Sequence, residues 1–146
     1  MQSAAKMKLH LVGRVSWFGG PKDTGVAPDE PLAFIYNVSE APHLFLPYQP
    51  EGTSGLARRL NPNVHFIACR WDYDVHPREM LLTEMALVRA PKTGVVLRAF
   101  PADWGPHVDT ERVADISSGL MEDLGIITDD EVEVTFPFIP DATVSV

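Results

Sequence analysis

The sequence is short of the residues that would place it in several large classes of protein. Cys69 is its only cysteine, so an internal disulfide is excluded and so is a thiolate metal cluster. No apolar run approaches the roughly 20 residues of a transmembrane helix. Met1 to Lys8 lacks the apolar centre of a signal peptide, which leads to the expectation of a chain that is cytoplasmic at synthesis. Basic residues are few: 12 against 20 acidic ones, a net charge of −8 with no basic run. Such a chain is a poor ligand for nucleic-acid phosphates and is weakly repelled by anionic membranes. Internal repeats and low-complexity segments are also missing. What is plentiful is turn chemistry, with 13 prolines and 10 glycines spread along 146 residues. That length suits one domain, here 1–146, and that punctuation suits short strands joined by turns.

Taken in order, Lys8 to Phe18 reads as a first strand, bent at Gly13 and broken by Gly19-Gly20-Pro21. Lys22 to Pro31 is turn-rich and too polar for a core, so it reads as a surface loop, with a functional loop as the alternative. Leu32 to Tyr36 is too short to separate helix from strand, and the prolines around His43 to Tyr48 confine that run to an edge or a loop. Leu56 to Leu60 predicts a brief helix stopped by Asn61-Pro62. Val64 to Trp71 is the clearest central strand, and Asp72 to Glu79 is a charged excursion.

Thr83 to Arg89 and Val95 to Phe100 form a hairpin about Pro91-Lys92-Thr93-Gly94. A polar loop follows from Asp103. Ser117 to Leu124 then reads as a short helix, with Asp115 or Ser117 as its cap, Leu120, Met121 and Leu124 inward, and Gly125 as its stop. Thr128-Asp129-Asp130 turns the chain into a last strand, Glu131 to Phe136, with glutamates outward and valines inward. Pro137 and Pro140 close the fold.

Those residues together resemble a known family. The Lys-Thr-Gly hairpin, Asp103-Trp104-Gly105-Pro106, Arg112-Val113-Ala114-Asp115-Ile116-Ser117, the helix ending Leu124-Gly125-Ile126 and Glu131-Val132-Glu133-Val134 are similar to the rare lipoprotein A type of domain. Its usual signature is Asp-Arg-Gly-Pro followed by Arg-Ile-Ile-Asp-Leu-Ser. Val15 to Gly20 resembles that family's first strand and glycine turn. The resemblance runs from about Thr83 to Phe136. It implies a mainly β fold, a six-stranded double-psi β-barrel with short helices and a long insertion in the N-terminal half, roughly 21–62. It also implies activity on β-1,4-linked glycans, as in lytic transglycosylases, family 45 glucanases and expansins, with Asp103 and Asp115 at the catalytic positions. This sequence departs from the pattern at three points. Trp104 stands for the usual arginine, one extra residue separates the aspartates, and the family's histidine has no clear counterpart.

The residues support this chemistry and also plainer roles. A lytic transglycosylase can use one carboxyl, which protonates the glycosidic oxygen and then accepts the proton of the muramyl 6-hydroxyl. The carboxyl must be neutral near pH 7, and Asp103, Asp109 and Asp115 in one loop could raise one another. A structural bond at the Gly-Pro turn explains Asp103 as well, and helix capping explains Asp115. Trp104 and Trp71 are candidates for stacking on sugar rings, or core filler. His107, Asp109 and Arg112 complete the candidate substrate contacts. Asp72, Asp74 and His76 alternate like metal ligands, but without a recognised spacing, and no metal or cofactor is expected.

Two function classes follow. One is a peptidoglycan-binding or peptidoglycan-cleaving domain of lytic transglycosylase type, whose partner is the glycan strand. The other is a non-catalytic structural component of a bacteriophage tail or related injection particle, whose partners are neighbouring virion chains or further copies in an oligomer. The altered signature and the long insertion favour the second.

Overall fold

The computed structural model describes residues 8–138. Pro140 therefore lies outside the described residues. Six strands close into a mixed barrel: β1 (Leu9–Trp17), β2 (Phe66–Cys69), β3 (Met85–Arg89), β4 (Val96–Trp104), β5 (Ala114–Ile116) and β6 (Glu131–Phe138). Their order around the barrel is β1-β5-β2-β4-β3-β6. The β1–β5 and β2–β4 pairs are parallel and the other four are antiparallel. The topology is compatible with a double-psi barrel. Closure leaves no strand edge unpaired, and a barrel of this size is filled by its own side chains.

Directly opposed residues share a face of the sheet. Val15 opposes Ala114, Ala114 opposes Cys69, Ile67 opposes Ile116, Ala86 opposes Ala99 and Val88 opposes Val134. All are fully buried, and together they form the barrel's inner face. In β6, Val132, Val134 and Phe136 are buried while Glu131 is exposed, which is the alternation expected from the sequence. The hairpin is also as expected, with Gly94 at φ +76° and its N–H bonded to the Ala90 carbonyl.

Several local readings are corrected. The β1–β6 register runs unbroken through Gly13, so no bulge interrupts the strand there. A Cβ on that glycine would lie 2.5 Å from Val113 Cγ1, so close approach of a side chain is what excludes a larger residue. A helix, α2 (Arg78–Thr83), occupies part of the charged excursion. Ala114–Ile116 is a strand, so Asp115 is not a helix cap. The cap of α3 (Ser118–Leu124) is Ser117, whose Oγ accepts from the Leu120 N–H, and Gly125 ends the helix at φ +74°.

The segment between β1 and β2 is part of the core rather than an appendage. It holds α1 (Leu56–Arg59) and two 3-10 turns, and its residues Leu32, Phe34, Ile35, Leu44, Phe45 and Leu60 are all buried. It covers the outer face of β2 and β4. Phe18 meets Phe66 edge-on at 5.0 Å, and His43 lies 4.5 Å from the Phe100 ring. Polar composition made Lys22 to Pro31 look like a surface loop, yet Asp23 within it is buried.

Candidate functional site

Register places the two candidate acids. Asp103 on β4 and Asp115 on β5 both oppose Ala68 on β2, and Ser16 on β1 opposes Asp115. Ser16, Asp115, Ala68 and Asp103 therefore form one row on the outer face of the barrel. Two interstrand spacings put the Asp103 and Asp115 Cα atoms about 9.5 Å apart, with only a methyl group between them. A register shift at Ile67/Ala68 brings Asp103 rather than Ala102 into the row.

Asp103 is fixed from three sides. Its Oδ1 accepts the Ala33 and Trp104 N–H groups, each at 2.8 Å, so it anchors the 32–36 segment and not the Gly-Pro turn. Its backbone carbonyl accepts the Trp71 indole N–H, while the Trp104 indole N–H bonds back to the Trp71 carbonyl. Burial pushes the Asp103 carboxyl up to about 6, with a smaller contribution from the Glu30 charge, against the two N–H bonds that favour the anion. Since Oδ1 is taken, the proton of the neutral acid belongs on Oδ2, which has no partner among the described residues.

Asp115 makes no side-chain hydrogen bond among the described residues. Burial raises it to about 6 as well; Arg112 opposes this, and the Asp23 and Asp103 charges add to it. The mutual effect expected among three aspartates of one loop is instead one-sided: Asp103 and Asp23 act on Asp115, while Glu30 acts on Asp103. Asp109 lies exposed on a 3-10 turn, paired with His107 at 3.4 Å, and is not among the charges acting on either acid. The third member is Asp23, whose carboxylate accepts the Gly19 and Gly25 N–H groups at 2.7 and 2.9 Å. Its only sequence signal is the Asp-Thr-Gly turn beside two glycines.

The remaining candidates divide. Trp71 is buried against Phe136, with ring centroids 4.9 Å apart, and offers no face to solvent. Trp104 is 41% exposed. Arg112 pairs with Asp129 at 2.9 Å and faces Asp115 electrostatically. His107 stays outside the carboxylate row. Two exposed aromatics were not legible from sequence. Tyr73 is raised by burial and then by the charges of Asp103 and Tyr36, which places all three near one another. Arg78 lies 4.3 Å over the Tyr36 ring. Tyr36, Tyr73 and Trp104, from three distant stretches, are thus exposed aromatics in the neighbourhood of Asp103.

The alternating Asp72-Asp74-His76 pattern resolves into local structure. Asp72 Oδ1 accepts the Asp74 N–H, and His76 turns inward, 5.4 Å from the Phe136 ring. Among the described residues, no three His, Cys, Asp or Glu side chains converge as a metal site. Cys69 is buried and its thiol is pushed far above its usual range by burial. No described helix is long and apolar enough to cross a membrane. No protein-family model matches the chain, and no curated protein matches it either.

Proposed function

We propose that this barrel is a glycan-binding and glycan-cleaving domain of the rare lipoprotein A type, acting on peptidoglycan as a lytic transglycosylase. The observation that carries the reading is Asp103: a carboxyl fixed by two N–H bonds, raised to about 6, beside the exposed Trp104. Its Oδ2 proton passes to the glycosidic oxygen as the C1–O bond breaks. The carboxylate then accepts the proton of the muramyl 6-hydroxyl as O6 bonds to C1, which closes the anhydro ring without water. Asp115, on the same face, supplies negative charge that favours the cationic sugar in the transition state. Tyr73 and Trp104 offer ring faces to the pyranose C–H groups, while Arg78 covers one face of Tyr36.

A second reading has one specific observation in its favour. The Ala33 N–H donates to Asp103, and Leu32, Phe34 and Ile35 are buried beside it, so the segment roofs the acid firmly. That arrangement suits a structural component of a phage tail or injection particle that reuses the barrel without its chemistry.

Purified sacculi separate the two. The enzyme reading expects wild type to release anhydro-muropeptides and Asp103→Asn to release none; a wild type that releases none refutes it. A strictly monomeric protein that is absent from purified particles would count against the structural reading.

A further inference from the structure

A cleft that neither acid lines opens beside the end of β1. It encloses about 520 Å³, within the roughly 300–1,000 Å³ of small-molecule sites. Trp17, at the end of β1, forms one wall and is 37% exposed. Leu46 and Asn61 to Asn63 of the inserted segment form another, and Glu122 of α3 a third, with Lys22 at the rim.

The walls are held by backbone bonds, so the cleft is formed before anything enters it. Gly119 N–H donates to the Pro62 carbonyl at 2.8 Å, and Asn61 N–H donates to the Leu44 carbonyl at 2.8 Å. A Cβ on Gly119 would stand 2.5 Å from Pro62 O, so the α3 wall touches the 61–63 wall closely. Asn61 Oδ1 accepts the Asn63 backbone N–H, but other polar groups around this space are unused. The Trp17 indole N–H, the Asn63 amide, the Lys22 ammonium and the Glu122 carboxylate have no side-chain partner among the described residues.

We infer that this cleft binds a neutral saccharide of one or two pyranose rings. A sugar ring has an apolar C–H face for the indole and a hydroxylated edge that both donates and accepts, which matches this mixture of groups. Lys22 and Glu122 cancel in charge, so the cleft does not select an ion of either sign. A wholly apolar ligand would strip water from the polar groups without replacing their bonds, at about 1–3 kcal/mol each. The net charge of −8 disfavours a nucleotide polymer. The site does not depend on chemistry at Asp103.

Nuclear magnetic resonance of the indole N–H signals tests this directly, because the three tryptophans occupy distinct environments. Titration with β-1,4-linked diacetylchitobiose, and separately with cellobiose, is expected to move the Trp17 indole and Asn63 amide signals, while buried Trp71 holds still. Trp17→Ala is expected to weaken binding about tenfold, the loss of about 1.4 kcal/mol of stacking. Should that variant fold poorly, Asn63→Ala and Glu122→Gln in the other two walls test the same site, each with a severalfold loss. A Trp17 signal unmoved at tens of millimolar of either sugar overturns the inference. So does movement confined to Trp104, or movement caused only by an apolar probe. Sugar-induced Trp17 shifts in a protein that releases no anhydro-muropeptides would sink the enzyme reading alone. Release without such shifts would sink this site alone.

Discussion

Removing the charge of Asp103 should stabilise the protein at neutral pH. In the folded chain its carboxyl is raised to about 6 by burial, whereas in the unfolded chain it titrates near the ordinary 3.8. Between those values the folded state keeps a proton that the unfolded chain has released. Stability therefore falls as pH rises through that window, and the penalty is complete above it. A gap of about 2.2 at about 1.36 kcal/mol per pKa unit gives about 3 kcal/mol as an upper value. The carboxyl retains some contact with solvent, which brings the expected effect to about 1–3 kcal/mol. Asparagine preserves the Oδ1 acceptor used by the Ala33 and Trp104 N–H groups, so Asp103→Asn subtracts the charge and little else. The carboxylates held low by their partners, Glu40, Asp129 and Asp130, are common to both proteins and cancel in the comparison. Asp115 feels the Asp103 charge, and its relief adds with the same sign. Urea denaturation at pH 4, 6 and 8 measures this. The two proteins should agree within about 0.5 kcal/mol at pH 4 and separate progressively, the variant being the more stable at pH 8. A variant no more stable than wild type at pH 8 would refute the reasoning, because the anion would then be favoured by its two N–H bonds more than burial opposes it.

Two further substitutions test the packing around the site. Ser117→Ala removes one buried acceptor for both the Leu120 and Phe66 N–H groups. It should cost about 2 kcal/mol in urea unfolding, and a loss under about 0.5 kcal/mol would show that the cap contributes little. Gly119→Ala would stabilise an ordinary helix by about 1 kcal/mol. Here the added Cβ meets Pro62 O at 2.5 Å and Asn63 Cα at 3.0 Å, so a destabilisation of about 1–3 kcal/mol is expected. A more stable protein would mean that the 61–63 wall yields easily.

The legible parts of the fold were those dictated by nearest neighbours in sequence. Gly94 after Lys92-Thr93 is sufficient for a hairpin turn because only glycine takes that backbone geometry without strain. Alternating glutamate and valine sets the faces of β6, and Gly125 marks the end of α3 whatever packs around it. Residues of the β4 end and of β5 were singled out for the same reason: Asp103 and Asp115 stand within recognisable local patterns. Short strands escaped notice. Ala114–Ile116 spans three residues, too few for a period to show, so a strand aspartate was indistinguishable from a helix cap.

What the tertiary structure alone decided is which side chains meet. The parallel pairing of β2 with β4 and the antiparallel pairing of β2 with β5 set both acids beside Ala68, a relation between positions 35 and 47 residues away in the chain. The segment between β1 and β2 then roofs Asp103 and brings Tyr36 into the neighbourhood of Tyr73, and the same fold turns Trp71 inward and Trp104 outward. Sequence by itself determined a turn-rich, mainly β chain and two conspicuous aspartates. Folding removes water from both carboxyls, which raises each to about 6, and brings the Asp103 charge within reach of Asp115, which no linear spacing encodes.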